Sequence, residues 1–318
     1  MVKRITGLLL VSVLFLTSCY IDMPHDSRYD GLNPFGKGAI SIYVKDKSGN
    51  PQENVLIKIN DTLEFYTNID GIFSIGTFDK GTLSLSIEKA GYRVFKKDTF
   101  ISTGELLDFE VVLNYIPVIE ELKAYSTVRT VKSFTDTLDY DVNYFSILDE
   151  RDGIEDIDSC IMTIDSQRFK MFLVESEENV RCTLNFAEDN EFFRIYDLQG
   201  EDCFIEVYDK SGEIVKSNAA SLVRFVETVP KIISPEEGGA LILPDSVIWS
   251  SQSVLFESYF KIEMCDAGGL VLSYDSIQSS KTGVYINTLL NEGAYSLYLR
   301  LYDLFGNYSE NSVTFSIF

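Results

Sequence analysis

The chain has 318 residues, 45% of them hydrophobic and 13% aromatic, with 18 tyrosines, 22 phenylalanines and one histidine. That length exceeds what one compact domain usually holds, and that apolar content excludes a disordered chain. A formal charge of −22 repels phosphate backbones and anionic lipid surfaces, which excludes nucleic acid as a partner.

Lys3 and Arg4 precede an apolar run from Ile5 to Leu16, the make-up of a secretory leader. The run is shorter than the ~20 residues a membrane-spanning helix needs. Leu16-Thr17-Ser18-Cys19 follows, and it resembles the lipobox of bacterial lipoproteins. The resemblance implies that residues 1–18 are a signal peptide, that the chain is cut before Cys19, and that its thiol and new amino group are acylated. Each buried methylene contributes ~0.8 kcal/mol and a single chain holds only marginally, so two or three chains make a lasting anchor. The implied partner is a membrane and the implied location the cell envelope, at the outer membrane, facing either the surface or the periplasm. Loss of Lys3 and Arg4 with the leader takes the formal charge from −22 to −24.

Residues 19–37 carry Pro24, Gly31, Pro34 and Gly36 among scattered aspartates, with no periodicity; they read as a flexible linker. From residue 38 the apolar positions alternate, as in Ile40-Ser41-Ile42-Tyr43-Val44 and Leu83-Ser84-Leu85-Ser86-Ile87, and no helical repeat is present. The predicted fold is all-β: three tandem β-sandwiches over 38–115, 116–229 and 230–318, with joints near Pro117 and Pro230.

One turn recurs. Asp46 to Gly49, Asp197 to Gly200, Asp209 to Gly212, Asp266 to Gly269 and Asp303 to Gly306 each follow an apolar strand end. Asp opens a type I turn by accepting a backbone N–H, and Gly three residues on takes the left-handed conformation, the geometry of a bulged hairpin.

In the first window, the residues Gly38 to Val44, Asp46 to Pro51, Thr67 to Ile75, Gly81 to Leu85 and Lys89-Ala90-Gly91-Tyr92 resemble the carboxypeptidase regulatory-like family. That family is a transthyretin-type, seven-stranded accessory sandwich without catalytic groups. Its likeness implies a tight turn at Asp70-Gly71 before an inward Phe73, and a bend at Gly91 where Tyr92 caps the core. The middle window is loosely immunoglobulin-like, with Tyr140, Val142 and Tyr144 in alternation. The last window resembles a fibronectin type III domain, opening at Pro230. This likeness implies a core Trp249 and a tyrosine corner formed by Leu289 and Tyr295.

Candidate chemistry is sparse. His25 lies in the linker, so no Ser-His-Asp triad or histidine-rich metal site is available within the sandwiches. The chain is expected not to be an enzyme and to use no cofactor. Asp149, Asp152, Asp156 and Asp158 form the densest acidic stretch and are the calcium candidates, a solvated loop being the alternative. Cys160, Cys182, Cys203 and Cys265 remain once Cys19 is assigned to lipid; they allow three full pairings, one bridge in the middle window, or buried free thiols. Tyr125, Tyr140, Tyr144 and Tyr196 would supply a sugar-stacking platform if they face outward. The expected role is therefore a tethered, non-enzymatic structural, adhesion or interaction module with a protein or glycan partner. The alternative is a glycan-binding accessory protein of a polysaccharide-handling system.

Overall fold

A computed structural model describes residues 37–131, 137–175 and 179–318. Cys19, His25 and the leader lie outside the described residues. Among the described residues the chain is built of strands, with two 3-10 turns and no helix long and apolar enough to cross a membrane. It divides into two compact units, one ending at Tyr115 and one spanning Ile116–Phe318.

The first unit holds β1 (Gly38–Lys45), β2 (Leu56–Ile59), β3 (Leu63–Tyr66), β4 (Ile72–Phe78), β5 (Gly81–Glu88), β6 (Phe95–Ile101) and β7 (Leu106–Val112). They form two sheets, β4-β1-β7 and β3-β2-β5-β6, with β1 and β7 parallel and the other pairs antiparallel. Period-two alternation is what makes the sandwich. Ile40, Ile42 and Val44 of β1 face Ile57, Ile59, Leu85 and Ile87 from the other sheet, all essentially inaccessible. Each such side chain contributes about 1.5–3 kcal/mol of burial. The expected turn at Asp70-Gly71 is present: Asn68 Oδ1 accepts the N–H groups of Asp70 and Ile72, and Gly71 adopts φ 71°. A Cβ on Gly71 would stand 2.4 Å from the Val44 carbonyl oxygen, so only glycine fits. Phe73 is buried just beyond it, and Tyr92 packs edge-on to Tyr115.

The second unit begins with β8 (Val118–Val131), β9 (Thr137–Asp149), β10 (Ile157–Ile164), β11 (Gln167–Lys170), β12 (Phe172–Glu175), β13 (Val180–Ala187), β14 (Asp202–Asp209), β15 (Ile214–Lys216) and β16 (Ala220–Ser221). It continues with β17 (Ile232–Ser234), β18 (Gly239–Leu241), β19 (Asp245–Trp249), β20 (Ser258–Asp266), β21 (Gly269–Gln278), β22 (Gly283–Ile286), β23 (Gly293–Asp303) and β24 (Tyr308–Ile317). Two cores are present. One gathers Val128, Val142, Tyr144, Cys160, Met162, Cys182 and Ile205; the other gathers Trp249, Phe260, Ile262, Leu297, Leu299 and Leu301.

The sheets do not respect that division. A nine-stranded sheet runs β12-β13-β9-β8-β24-β23-β20-β21, with β18 also on β24. The link is a short parallel pairing of β24 with β8, Tyr308 opposite Thr127, Ser309 opposite Val128 and Glu310 opposite Arg129. The two cores are therefore separate, while their sheet is shared. The seam is polar, and its serine hydroxyls are hydrogen-bonded across it. The Ser126 hydroxyl donates to the Arg224 carbonyl at 2.9 Å, and the Ser309 hydroxyl donates to the Thr228 carbonyl at 2.7 Å. Arg224 Nε lies 3.2 Å from Asp303 Oδ2, with the guanidinium over the rings of Phe256 and Phe305.

The repeated turn is borne out at four positions. At Asp46, Asp209 and Asp303, Oδ1 accepts the N–H four residues on and the aspartate N–H is returned to that residue's carbonyl. Asp266 Oδ1 accepts from Gly268, and Gly269 opens β21. The fifth copy differs. Asp197 falls within a 3-10 turn, Ile195–Leu198, and Gly200 donates to the Leu222 carbonyl, because no strand folds back to pair there.

Candidate interaction surface

The four tyrosines expected as a platform are dispersed. Tyr144 sits in the core, and Tyr140 is buried against Tyr196 and Phe225 with centroids 5.2 and 5.9 Å away. Alternation carries tyrosine inward as readily as outward, and here the inward phase of β9 holds both. Burial raises the phenol pKa of Tyr144, and burial together with a hydrogen bond to Tyr196 raises that of Tyr140. Only Tyr125, from β8, joins an outward-facing array.

That array crosses the shared sheet on its outer face. Tyr259 of β20 stacks on Tyr302 of β23 at 5.3 Å and 9°, and Tyr302 meets Tyr308 of β24 at 4.8 Å. Tyr308 stacks on Tyr125 across the seam at 6.4 Å, and Tyr125 meets Phe145 of β9 edge-on at 6.1 Å. Direct register places these neighbours: Tyr259 is opposite Tyr302, and Tyr302 is opposite Tyr308. All five rings are half-buried, while the residues on either side of each in its strand point into the cores or the seam.

Charged groups border it. Arg300 reaches Glu263 at 2.5 Å and Glu310 at 2.6 Å, and Lys261 reaches Glu263 at 2.7 Å. The Arg300 guanidinium also lies 5.5 Å from the Tyr308 ring centre, and Lys123 covers Phe145. Desolvation alone would raise the Glu263 carboxyl, but Lys261 and Arg300 outweigh it and hold the carboxyl below its ordinary value. Burial pushes the Tyr302 phenol up to about 12 and raises those of Tyr125 and Tyr259. Toward β13, Asn143 accepts from Asn185 at 2.9 Å and donates to Thr127 at 3.2 Å. The sequence marks only two of its rings, the tyrosine one residue before an Asp turn at 302 and the one two residues after its glycine at 308.

The acidic loop gathers a different set from the one expected. Carboxylate oxygens of Glu150, Asp152 and Asp156 lie within 4.8 Å of one another, whereas Asp149 pairs with Arg151 and Asp158 with the Ser159 hydroxyl. The backbone explains it, since Glu150 Oε1 accepts the Asp152 N–H and the 3-10 turn Ile154–Asp156 folds Asp156 inward. Three carboxylates at that spacing could contribute to a hard-cation site, but the arrangement is equally that of a loop ordered by its own hydrogen bonds, and no metal is assigned to it.

In the last sandwich Trp249 is a core residue against Phe260, as expected. Tyr295 is buried and its hydroxyl donates to the Asn291 carbonyl at 2.7 Å. Leu289 is not its partner in the core: it is 95% exposed, and Leu290 is the leucine that packs inward. The hydroxyl bond constrains only the loop backbone, which leaves the inward leucine free to be the next residue. A cleft of about 610 Å³ near the seam is lined by Thr130, Thr137, Lys231, Glu236 and Glu237 among others.

This geometry defines an all-β protein built of β-sandwiches. No protein-family model matches the chain, and no curated protein matches its sequence. Among solved structures it is similar to BcpA, the major pilin subunit of Bacillus cereus, at 11% identity and TM-score 0.32 over 87% of this chain and 94% of that one. It is also similar to a DUF3823 family protein from Bacteroides ovatus, at 10% identity and TM-score 0.25 over 58% of this chain and 98% of that one. A third likeness is to the fibronectin(III)-like modules of Clostridium thermocellum CbhA, at 10% identity and TM-score 0.28 over 64% and 94%. Likenesses this distant carry no argument about activity, ligand or partner.

Proposed function

We propose that the chain is a lipid-anchored, non-enzymatic interaction module of the cell envelope, and that its binding face is the tyrosine band of the shared sheet. The observation carrying this reading is the band itself, continuous across two sandwiches that a common sheet holds in one register. Tyrosine and arginine are the residues that dominate interaction energy, because they present large, stiff, amphipathic area at low entropic cost. Lipidation at Cys19 would supply the tether. A Cys19→Ser chain is expected to leave the membrane fraction with its Trp249 emission unchanged; retention in the membrane would sink the anchor. Protease treatment of intact cells then distinguishes a surface-facing from a periplasm-facing module.

A glycan is the second reading, favoured by the amide, carboxylate and guanidinium groups of Asn143, Asn185, Glu310 and Arg300 beside the rings. Such groups pair with sugar hydroxyls. A glycan array probed with the mature chain and with a Tyr259→Ala/Tyr302→Ala chain separates the two. Signal lost in the double variant supports sugar binding, and an array blank for both leaves the protein-partner reading alone.

A further inference from the structure

We propose that Cys160 and Cys182 are a disulfide-forming pair that staples the two sheets of the middle sandwich. Cys160 is on β10, in the sheet β11-β10-β14-β15, and Cys182 is on β13, in the facing nine-stranded sheet. Both are inaccessible to solvent and belong to the same core cluster. Both are thiols in this structure, and the neighbouring Cys160 side chain, with burial, raises the Cys182 thiol pKa. Met171 Sδ lies 3.6 Å from Cys160 Sγ.

The other two thiols are placed elsewhere. Cys203, on β14 of the same core, stands opposite Ile164, four residues along β10 from Cys160, and burial raises its thiol to about 11. Cys265 lies at the end of β20, beside the other core. The three pairings open in the sequence therefore reduce to one contact, with Cys203 and Cys265 left as thiols.

The chemistry balances with a disulfide oxidant. Each thiol gives up its proton, the two sulfurs join, and the two electrons released reduce one oxidant disulfide to two thiols. An exported chain meets such an oxidant as the disulfide of an envelope oxidoreductase, a step that rests on the leader reading above. Because both sulfurs end fully buried, the bond must form while the chain is folding.

Two arms keep that dependence separate. In the first, the chain from residue 20, which lacks Cys19 and is made without a leader, is unfolded, reduced, and refolded in a glutathione disulfide/thiol buffer. It is then alkylated in denaturant without reductant and mapped by mass spectrometry. The expected map shows the Cys160 and Cys182 peptides linked and Cys203 and Cys265 alkylated. The linked form should melt about 5–10 °C above the reduced form, the range for a bridge closing a loop of this size in a chain of this length. Four alkylated cysteines, or a link through Cys203 or Cys265, overturns the pairing. The second arm maps the protein taken from cells. A link in the refolded chain but not in the cellular one upholds the pair and counts against export alone.

Discussion

The backbone N–H of Ser126, on β8, donates to Asn307 Oδ1, on the turn before β24, at 2.9 Å and with both residues fully buried. The two are 181 residues apart in the chain. Asn307 is occupied on its other side too, since Nδ2 donates to Asp303 Oδ2 at 2.9 Å and its N–H donates to Asp303 Oδ1 at 3.0 Å. One side chain therefore closes a hairpin and latches a neighbouring sandwich.

Asn307→Ala should accordingly cost more than a turn substitution. It removes the acceptor of a buried N–H and a donor to a buried carboxylate, and each orphaned group costs about 1–3 kcal/mol. We expect denaturant unfolding of the second unit to lose about 3–4 kcal/mol and to broaden as its two cores cease to unfold together. A variant within 0.5 kcal/mol of the parent would mean the latch is dispensable.

Arg224→Ala tests the other half of the seam. The Asp303 carboxylate is 1% exposed and Arg224 supplies its nearby charge, so removing the guanidinium leaves a buried anion. Breaking such a pair costs about 3–5 kcal/mol, and Arg224→Lys should recover only part of that because the stacking on Phe256 and Phe305 is lost. Chemical denaturation of the three chains gives the ranking; lysine equal to arginine would refute the stacking contribution.

Acid should weaken the outer face through Glu263. Its folded pKa is below the ordinary 4.5, so the stability it contributes is complete above that value and is lost as pH falls through the lowered folded one. Glu263→Gln should flatten the acid limb of a stability profile measured from pH 6 to pH 3. Asp141 acts in the opposite sense, since burial raises its carboxyl despite the nearby Arg129, and its protonation favours the fold. An unchanged acid limb in Glu263→Gln would remove Glu263 from the account.

At the alkaline end the tyrosines report the fold. Tyr302 is held near 12 and Tyr125 and Tyr259 are raised, so the native state resists their ionisation and stability falls as pH rises above the ordinary phenol value of 10. Absorbance titration of the 18 tyrosines at 295 nm should show a normal fraction and a late fraction that appears only with unfolding. Tyr302→Phe should shrink the late fraction, and a single normal wave for the parent chain would contradict the burial of the band.

Local features of this fold were legible in the sequence because their causes are local. The Asp turns depend on residues four apart, and Trp249 and Tyr295 depend on an inward phase that alternation displays. Leu289 was misplaced by one residue because an exposed leucine and a buried one are adjacent in Leu289-Leu290. The pairing of β24 with β8 left no trace, since strand contact over such a separation has no pattern in either segment. The tyrosine band was hidden for the same reason: its order, 259-302-308-125-145, is an order of strands in space. Tyr140 and Tyr144 looked equivalent to Tyr125 only because period two says which residues share a face and not which face is wet.

The shared sheet also sets a timetable. A ribosome makes β8 long before β24, and until residues 308 to 310 arrive the N–H and C=O groups on that side of β8 have no strand to pair with. For most of synthesis the middle sandwich therefore carries an open edge, the feature that invites strand addition by other chains. A chain crossing a membrane in extended form would escape this hazard if held unfolded until its last strand emerged. The joint that unites the finished sandwiches thus makes the partly made protein dependent on a chaperone, or on speed.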